Sequence, residues 1–494
     1  MSEAISALFG KTKSFIEYEK DIQKCCEAFG LPKDAYLMEH QKKAVEISTV
    51  EPRWCFFHDT GTGKTLTAIE IIKKKMVKSL VVTKKDLVGV WLDEIAHWAP
   101  QLKATTTNLH DLWGGRGNLA GSTKFLNSLK SCRVGIVNYE SFKRMYNDLV
   151  KARFQMVILD ESSVIKNQKS EIAKKVTIFC KGIPYIYELT GTPAPNGEFE
   201  YFTQVRLVSD VFGRKYEAFR TRFFFQFGPY GWKLYPHRRE EFLTKLKSCS
   251  HTVLREDVLD LPERTFNIRE VALSGPEIKA YNEMKKHLII EIEEKQYTAA
   301  TSAVKLMKLR EVTSGFIMEK YQTIENGVKV WRENKALIGK SKLDALSTLL
   351  EEIGNHQAVI WCCFNVEAAQ IQKALASKCV RVDGTTPDNI RSQYLQNFKS
   401  GKTQYLLSKT SSLGHGHTWV NCQYMIFYSI DYNAETHSQG QDRIYRKGQD
   451  KPCTYYYLLA TIQGKPTIDG VILNALNGKR DVLREVLTSI KGGI

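Results

Sequence analysis

Seven consecutive residues, Asp59-Thr60-Gly61-Thr62-Gly63-Lys64-Thr65, have the types and spacing to hold a phosphate chain. Gly61 and Gly63 lack the Cβ that would keep backbone N–H groups away from phosphate oxygens, and the helix-period segment that follows adds its positive dipole end. Lys64 would bring a point charge to the β- and γ-phosphates, and the Thr65 hydroxyl would ligate a magnesium ion bridging them. The longer eight-residue form of this pattern would start with Gly at position 58. This chain has His58 there, so only Gly-x-Gly-Lys-Thr is satisfied.

Phosphoanhydride hydrolysis also needs an acid that grips the metal and a base that orients water. Met156-Val157-Ile158-Leu159-Asp160-Glu161 sets an apolar run directly before two adjacent carboxylates. Asp160 suits the metal and Glu161 the attacking water, although adjacent acids after a strand also occur as a plain solvated loop. Charge developing on the γ-phosphate would be met by arginine, whose fork matches phosphate oxygens better than lysine does. Arg443 and Arg446 lie three apart, so on a helix both would project from one face, as two exposed arginines also would.

The elements that must position these groups alternate in type. From Trp54 to about Thr190, apolar runs (Trp54–His58, Leu80–Thr83, Val134–Asn138, Met156–Leu159, Tyr185–Leu189) are separated by amphipathic stretches such as Leu66–Lys75 and Leu87–Trp98. This is the rhythm of a parallel sheet covered by helices, with ligands expected at the polar ends of the strands. A second run begins near Lys340, with strands expected at Ala358–Phe364, Val380–Val382, Gln404–Leu407, Tyr424–Tyr428 and Thr454–Leu459. Between them, Asn196 to Lys340 breaks the rhythm with an aromatic and basic patch (Tyr216–Tyr235) and a charge-rich helical stretch (Gly275–Phe316). It reads as a mostly helical insertion between two α/β lobes. The expected division is 1–35 as an N-terminal extension, 36–250 as lobe 1, 251–339 as family-specific linker and helical insertion, and 340–494 as lobe 2.

A length of 494 residues fits about two to four domains at roughly 100 to 200 residues each. Hydrophobic content of 43% and charged content of 25% exclude whole-chain disorder and coiled coil. Lys plus Arg exceed Asp plus Glu by 71 to 54, a net +17, which favours a polyanionic partner, nucleic acid first. The 11 cysteines show no zinc-ligand spacing and no run approaches a membrane span, so the expected location is cytoplasmic or nuclear rather than secreted.

Taken together and in this order, the motifs resemble the Swi/Snf-type group of superfamily 2 helicase-like ATPases, over about Tyr36 to Asp469. Gln41 in His40-Gln41 is similar to the group's adenine-reading glutamine. Leu80–Thr83 with Val90-Trp91-Leu92-Asp93-Glu94, and Val137-Asn138-Tyr139-Glu140, resemble its second and third motifs. Asp160-Glu161-Ser162-Ser163 is similar to its metal and base motif, with Ser163 in place of the usual His. Leu189-Thr190-Gly191-Thr192-Pro193 resembles the coupling motif, and Leu254-Arg255 with Asp257-Val258 and Leu261-Pro262 a segment peculiar to the group. Gly339-Lys340-Ser341-Lys342-Leu343, Val382-Asp383-Gly384-Thr385-Thr386, the span Ser412–Gln449 including Gln439, and Thr467-Ile468-Asp469 continue the likeness.

The resemblance implies two RecA-like lobes, each an α/β fold with a parallel sheet, holding ATP and Mg2+ at their seam and moving on duplex or branched DNA. It implies that Gln41, Thr60, Gly61, Thr62, Gly63, Lys64, Thr65 and Gln439 contact nucleotide. Thr65 and Asp160 would hold the metal, and Thr83, Asn138, Thr385 and Thr386 would lie on the DNA path. A strand-separating or branch-migrating helicase is the near alternative, and an inactive DNA-binding or docking module the distant one. Lys64, Thr65, Asp160, Glu161, Arg443 and Arg446 are all present, which disfavours the latter. The aromatic and basic patch around Arg220–Trp232 reads better as an apolar anchor than as a DNA track. With little outside the motor, the expected protein is a monomeric minimal motor of bacteriophage style rather than a chromatin remodeller.

Overall fold

The strands β1 (Arg53–His58), β2 (Ser79–Thr83), β3 (Ala104–Thr106), β4 (Val134–Asn138), β5 (Met156–Asp160) and β6 (Tyr185–Leu189) are short because their apolar runs are short. Most are buried from end to end, as strands covered on both faces must be. In the computed structural model, residues 36–106, 118–227, 231–293, 299–325, 328–413 and 418–490 are described. A small antiparallel hairpin, β7 (Phe224–Phe227) and β8 (Gly231–Leu234), precedes β9 (Ser250–Val253). The main sheet has seven strands in the order β3-β4-β2-β5-β6-β1-β9, all parallel. Parallel pairing brings the C-terminal ends of β1, β5 and β6 to one edge.

Alternate residues of these strands fill two cores. Leu80, Val82, Val137, Val157 and Leu159 pack on one face, and Val81, Ile136, Ile158 and Leu189 on the other. A third cluster rich in Phe (Phe202, Phe212, Phe219, Phe223, Phe224, Phe242) lies against Cys55 and Phe57 of β1. The aromatic patch is thus chiefly an anchor. Its cations are engaged locally: the Arg220 guanidinium sits 4.5 Å from the Trp232 ring, and Arg222 pairs with Glu241.

The chain divides into two compact units at Asp260 and Leu261. In the second unit, β10 (Arg264–Ala272) is followed by a long ribbon, β11 (Phe316–Glu325) with β12 (Val328–Leu337), in ten antiparallel pairs. Then come β13 (Ala358–Cys362), β14 (Cys379–Val382), β15 (Tyr405–Lys409), β16 (Tyr424–Phe427), β17 (Cys453–Ile462) and the short β18 (Lys465–Pro466). The order is β10-β17-β16-β13-β15-β14, parallel along this path, with β18 antiparallel to β17.

Within the stretch 251–339, expected as linker and helical insertion, strands accompany the helices. β10 is an edge strand of the second sheet, paired along nine residues with β17, and the helices Gly275–Glu293 and Ala299–Thr313 are followed by the β-ribbon. Tyr281, Leu309 and Val312 from those helices belong to the same core as Val359 and Met425, so burial joins them to the second sheet. The second compact unit runs from Leu261 to Asp481 and so takes in most of that stretch. Among the described residues no helix is long and apolar enough to cross a membrane.

Candidate active site

β1 ends at His58, and the phosphate loop turns directly into the helix α1 (Lys64–Lys75). The turn requires left-handed backbone at Gly61 (φ 88°) and Gly63 (φ 81°), which glycine supplies without strain. The helix Glu39–Val50 braces the loop from outside. His40 Nε2 is 2.8 Å from the Thr62 carbonyl, and Gln41 Nε2 donates to the Gly63 carbonyl at 3.2 Å. Gln41 Oε1 also accepts the Met38 N–H, so the carboxamide is anchored at both ends, and a Cβ on Gly63 would collide with it. Thr62 is turned inward, its hydroxyl on the Asp59 carbonyl at 2.8 Å. Lys64 Nζ donates to the carbonyls of His58 and Asp59 at 3.0 and 3.2 Å, held over the loop by neutral acceptors. Thr65 stands half-buried in the first turn of α1.

His58, where the longer pattern has glycine, is a buried side chain with a partner of its own. Its Nε2 is 2.9 Å from Nδ1 of His251 on the neighbouring β9. Among the described residues His58 Nδ1 has no hydrogen-bond partner, and an orphan lone pair costs less than an orphan N–H, so His58 Nε2–H is the donor. Burial, then the neighbouring His251, His40 and Lys64, holds the His58 pKa well below its usual range. Burial, with Lys43 and His40, lowers that of His251 to about 4.

Asp160 ends β5, and three donors fix it. Thr83 Oγ1 and Trp91 Nε1 both donate to Oδ2 at 2.8 Å, and the Tyr139 hydroxyl donates to the main-chain carbonyl at 2.9 Å. Glu161 follows with φ 54°, a left-handed conformation costing about 1 kcal/mol or more for a residue with a Cβ. Such strain persists where a side chain must be aimed. Ser162 donates to Gln204 Oε1 at 2.9 Å, and Gln204 Nε2 donates to the Pro193 carbonyl at 2.6 Å. One buried glutamine thus joins the acidic motif to Thr190-Gly191-Thr192-Pro193. Gly191 lies so close to the phosphate loop that a Cβ would stand 3.1 Å from the Thr60 nitrogen. Ser163, at the position of the usual His, is buried.

The same region holds a group that sequence patterning hides. Glu188, inside β6, is fully buried, and among the described residues neither carboxyl oxygen has a hydrogen-bond partner at standard geometry. Burial drives its pKa well above the carboxylate range, only partly opposed by nearby Ser162, so it is a neutral acid.

Two residues expected on the DNA path face inward. Thr83 is fully buried and bonded to Asp160, and Asn138 is spent on capping the helix Tyr139–Arg144, its Oδ1 accepting the Ser141 N–H at 2.9 Å. Both end strands of the sheet that holds the acidic motif, where position serves Asp160 and helix start rather than a surface. In the second unit, Thr385 is exposed, and its N–H and hydroxyl both donate to Asp383 Oδ1. Thr386 Oγ1 accepts the Asp383 N–H at 3.0 Å. Against the burial that would raise it, the Thr385 hydrogen bonds and the Arg381 guanidinium hold Asp383 down at about 2.

Arg443 and Arg446 do not share a helix. The helix Ala434–Gln441 stops before them, and the arginines lie in the turns that follow. Each is tied four residues back: Arg443 Nε donates to the Gln439 carbonyl at 2.8 Å, and Arg446 Nε to that of Asp442 at 2.9 Å, with Nη1 3.2 Å from the Thr418 hydroxyl. Arg443 is only 3% exposed. Gln439 is also buried, and its side-chain oxygen has no hydrogen-bond partner among the described residues. Gly414 and Gly416, within the span Ser412–Gln449, lie outside the described residues.

A match to the SNF2-related domain runs over residues 40–316, more than half of the chain. The chain belongs to the SNF2-related family of helicase-like ATPases. Residues 341–448 match the helicase conserved C-terminal domain. Among curated relatives, the SWI/SNF-related matrix-associated actin-dependent regulator of chromatin subfamily A-like protein 1 of Xenopus tropicalis is 24% identical over 97% of this chain and 48% of its own length. The chain thus spans about half of that SNF2-type relative. Putative protein p41 of Acyrthosiphon pisum secondary endosymbiont phage 1 is 25% identical over 87% of this chain and 92% of its length. A solved structure titled Sulfolobus solfataricus SWI2/SNF2 ATPase core in complex with dsDNA aligns over 92% of this chain and 93% of its own, with TM-score 0.40 and 19% identity.

Proposed function

We propose that this protein is an ATP-driven translocase on double-stranded or branched DNA, remodelling DNA or protein–DNA complexes. The observation that carries this reading is the convergence at one sheet edge of the phosphate loop, Gly191 and an Asp160 carboxylate already oriented by Thr83 and Trp91. Loop N–H groups from Thr60 to Thr65 and the start of α1 receive the phosphates, and Lys64 exchanges its carbonyl partners for phosphate oxygens. The residues fit a magnesium ion: Oδ2 of Asp160 takes both donors, which leaves Oδ1, with the Thr65 hydroxyl, to hold it. Bound there, the ion would supply positive charge against the phosphate oxygens. Glu161 orients the attacking water, Gln439 offers its orphan oxygen to the nucleotide, and Arg443 and Arg446 stabilise charge on the transferred group. Gln41 contacts the adenine through the N–H and lone pair that its two anchors leave over. With net charge +17, DNA binding is through phosphates, with Thr385 and Thr386 as contacts, and weakens steeply with salt.

ATP hydrolysis measured with and without duplex DNA tests this. Lys64→Ala and Glu161→Gln abolish turnover, and Arg443→Ala lowers it by about 10³-fold with less effect on nucleotide affinity. Displacement of a triplex-forming strand without duplex melting marks a translocase, whereas melting marks the helicase alternative. Equal hydrolysis with and without any nucleic acid refutes the motor reading.

A further inference from the structure

The first residue of the phosphate loop is joined to the segment by which the chain leaves the first unit. Asp59 N donates to the Val253 carbonyl at 2.9 Å, continuing the β1–β9 ladder one step past the strands. Asp59 Oδ2 accepts the Arg255 N–H at 3.3 Å and stands 3.5 Å from the Arg255 Nε. Both side chains are mostly buried, at 22% and 12% exposure, so this ion pair is shielded far better than a surface one. Arg255 opens the short helix Arg255–Val258, which begins after Leu254, a member of the Phe-rich core. Five residues past Arg255 the chain crosses into the second unit. On the loop side, the Asp59 carbonyl is one of the two acceptors of Lys64. Moving Lys64 onto a phosphate releases that acceptor, on the same residue whose carboxylate holds Arg255.

We infer that Asp59 and Arg255 form a positioning pair that transmits occupancy of the phosphate loop to the exit segment 254–260. This rests on the nucleotide reading above and adds to it a named link from the loop to the joint. The pair touches no substrate. Its work is to make the start of the helix Arg255–Val258 depend on the state of the residue that carries the loop. The expected sign is tightening: with nucleotide bound, Lys64 leaves the Asp59 carbonyl, the loop settles, and the Arg255 N–H and guanidinium are held more persistently.

Amide hydrogen exchange on the full chain, with and without Mg2+ and adenosine 5′-(γ-thio)triphosphate, reads both ends of the link. The expected result is slower exchange at 60–65 and, in the same samples, about tenfold slower exchange at 255–259. In Asp59→Ala the loop stays protected by nucleotide and the protection at 255–259 is lost; kcat falls about tenfold with KM for ATP within about threefold. Arg255→Ala gives the same split, Arg255→Lys recovers at least half of the rate, and the double variant is no worse than either single one. Protection at 60–65 without any change at 255–259 in the unaltered protein overturns the pair alone. Absence of protection at both places overturns the nucleotide reading and the pair with it. Equal protection at 255–259 in Asp59→Ala and the unaltered protein also refutes the link, and Asp59→Asn, which keeps the acceptor and loses the charge, gives that comparison if Asp59→Ala does not fold.

Discussion

Replacing His251 by Gln tests the buried imidazole pair under the phosphate loop. Gln keeps an acceptor for the His58 N–H and cannot be protonated. In the native protein His251 titrates at about 4 rather than 6.5, because burial and the neighbouring Lys43 and His40 oppose its charge. A depressed folded-state pKa means that the unfolded chain takes up a proton first as pH falls. The stability held above 6.5 is therefore lost progressively toward 4. Integrating the two titrations from pH 8 to pH 5 gives about 2 kcal/mol from His251 alone. His58, shifted in the same direction by burial and by His251, His40 and Lys64, adds to the loss. The assay is urea unfolding at pH 8 and pH 5, followed by circular dichroism. With a denaturant slope of about 2 kcal/mol per molar, His251→Gln reduces the pH-dependent shift of the first unit's midpoint by about 1 M. A variant that loses as much stability on acidification as the unaltered protein shows that the pair is not what acid disrupts.

Three further outcomes follow from other buried groups. Glu188→Gln removes a carboxyl held neutral, whose raised pKa erodes stability as pH climbs above about 4.5, so the variant gains on the unaltered protein with rising pH; parallel pH profiles of the two midpoints refute this. Trp91→Phe deletes one of two donors to Asp160 Oδ2, an interaction of about 1.5 to 3 kcal/mol with a charged acceptor, and raises the free magnesium needed for half-maximal hydrolysis about tenfold or more; an unchanged magnesium curve refutes it. Lys342→Met leaves Asp469 charged and buried where its ion pair at 2.6 Å stood, and costs the second unit about 3 to 5 kcal/mol by thermal unfolding; a loss below about 1 kcal/mol refutes it.

Legibility in the sequence followed pattern length. β1, β2, β4, β5 and β6 were readable because each is a continuous apolar run ending in a polar motif, the mark of a strand buried on both faces. β9 was hidden, since Ser250-His251-Thr252-Val253 offers no apolar run, and its place is set by pairing with β1 and by the His58 contact. β10 was hidden for the opposite reason. As an edge strand it leaves Phe266 and Ile268 exposed, and its alternation merged with a neighbourhood that reads as helical. In the site, the phosphate loop and Asp160-Glu161 were visible as spacing. What was not visible was which neighbour each side chain takes, because partners such as Thr83 and Asp160 are 77 residues apart. That is why Thr83 and Asn138 were expected at a surface and lie inside. The arginines were read onto one helical face from their three-residue spacing alone, whereas the helix ends at Gln441, just past Gly440.

At the base of the β11–β12 ribbon, Gly315 (φ 82°) and Gly339 meet back to back. The N–H groups of Ile338 and Gly339 return to the Gly315 carbonyl at 2.9 and 3.2 Å, and no Cβ has room at either glycine. Glu277 locks the spot, its carboxylate taking the N–H and hydroxyl groups of both Ser274 and Ser341. Everything between Phe316 and Leu337 therefore departs and rejoins through a single doorway whose frame is built elsewhere. Because that frame lies outside the ribbon, pairs could be added or removed at its far end while the chassis beneath keeps its own contacts.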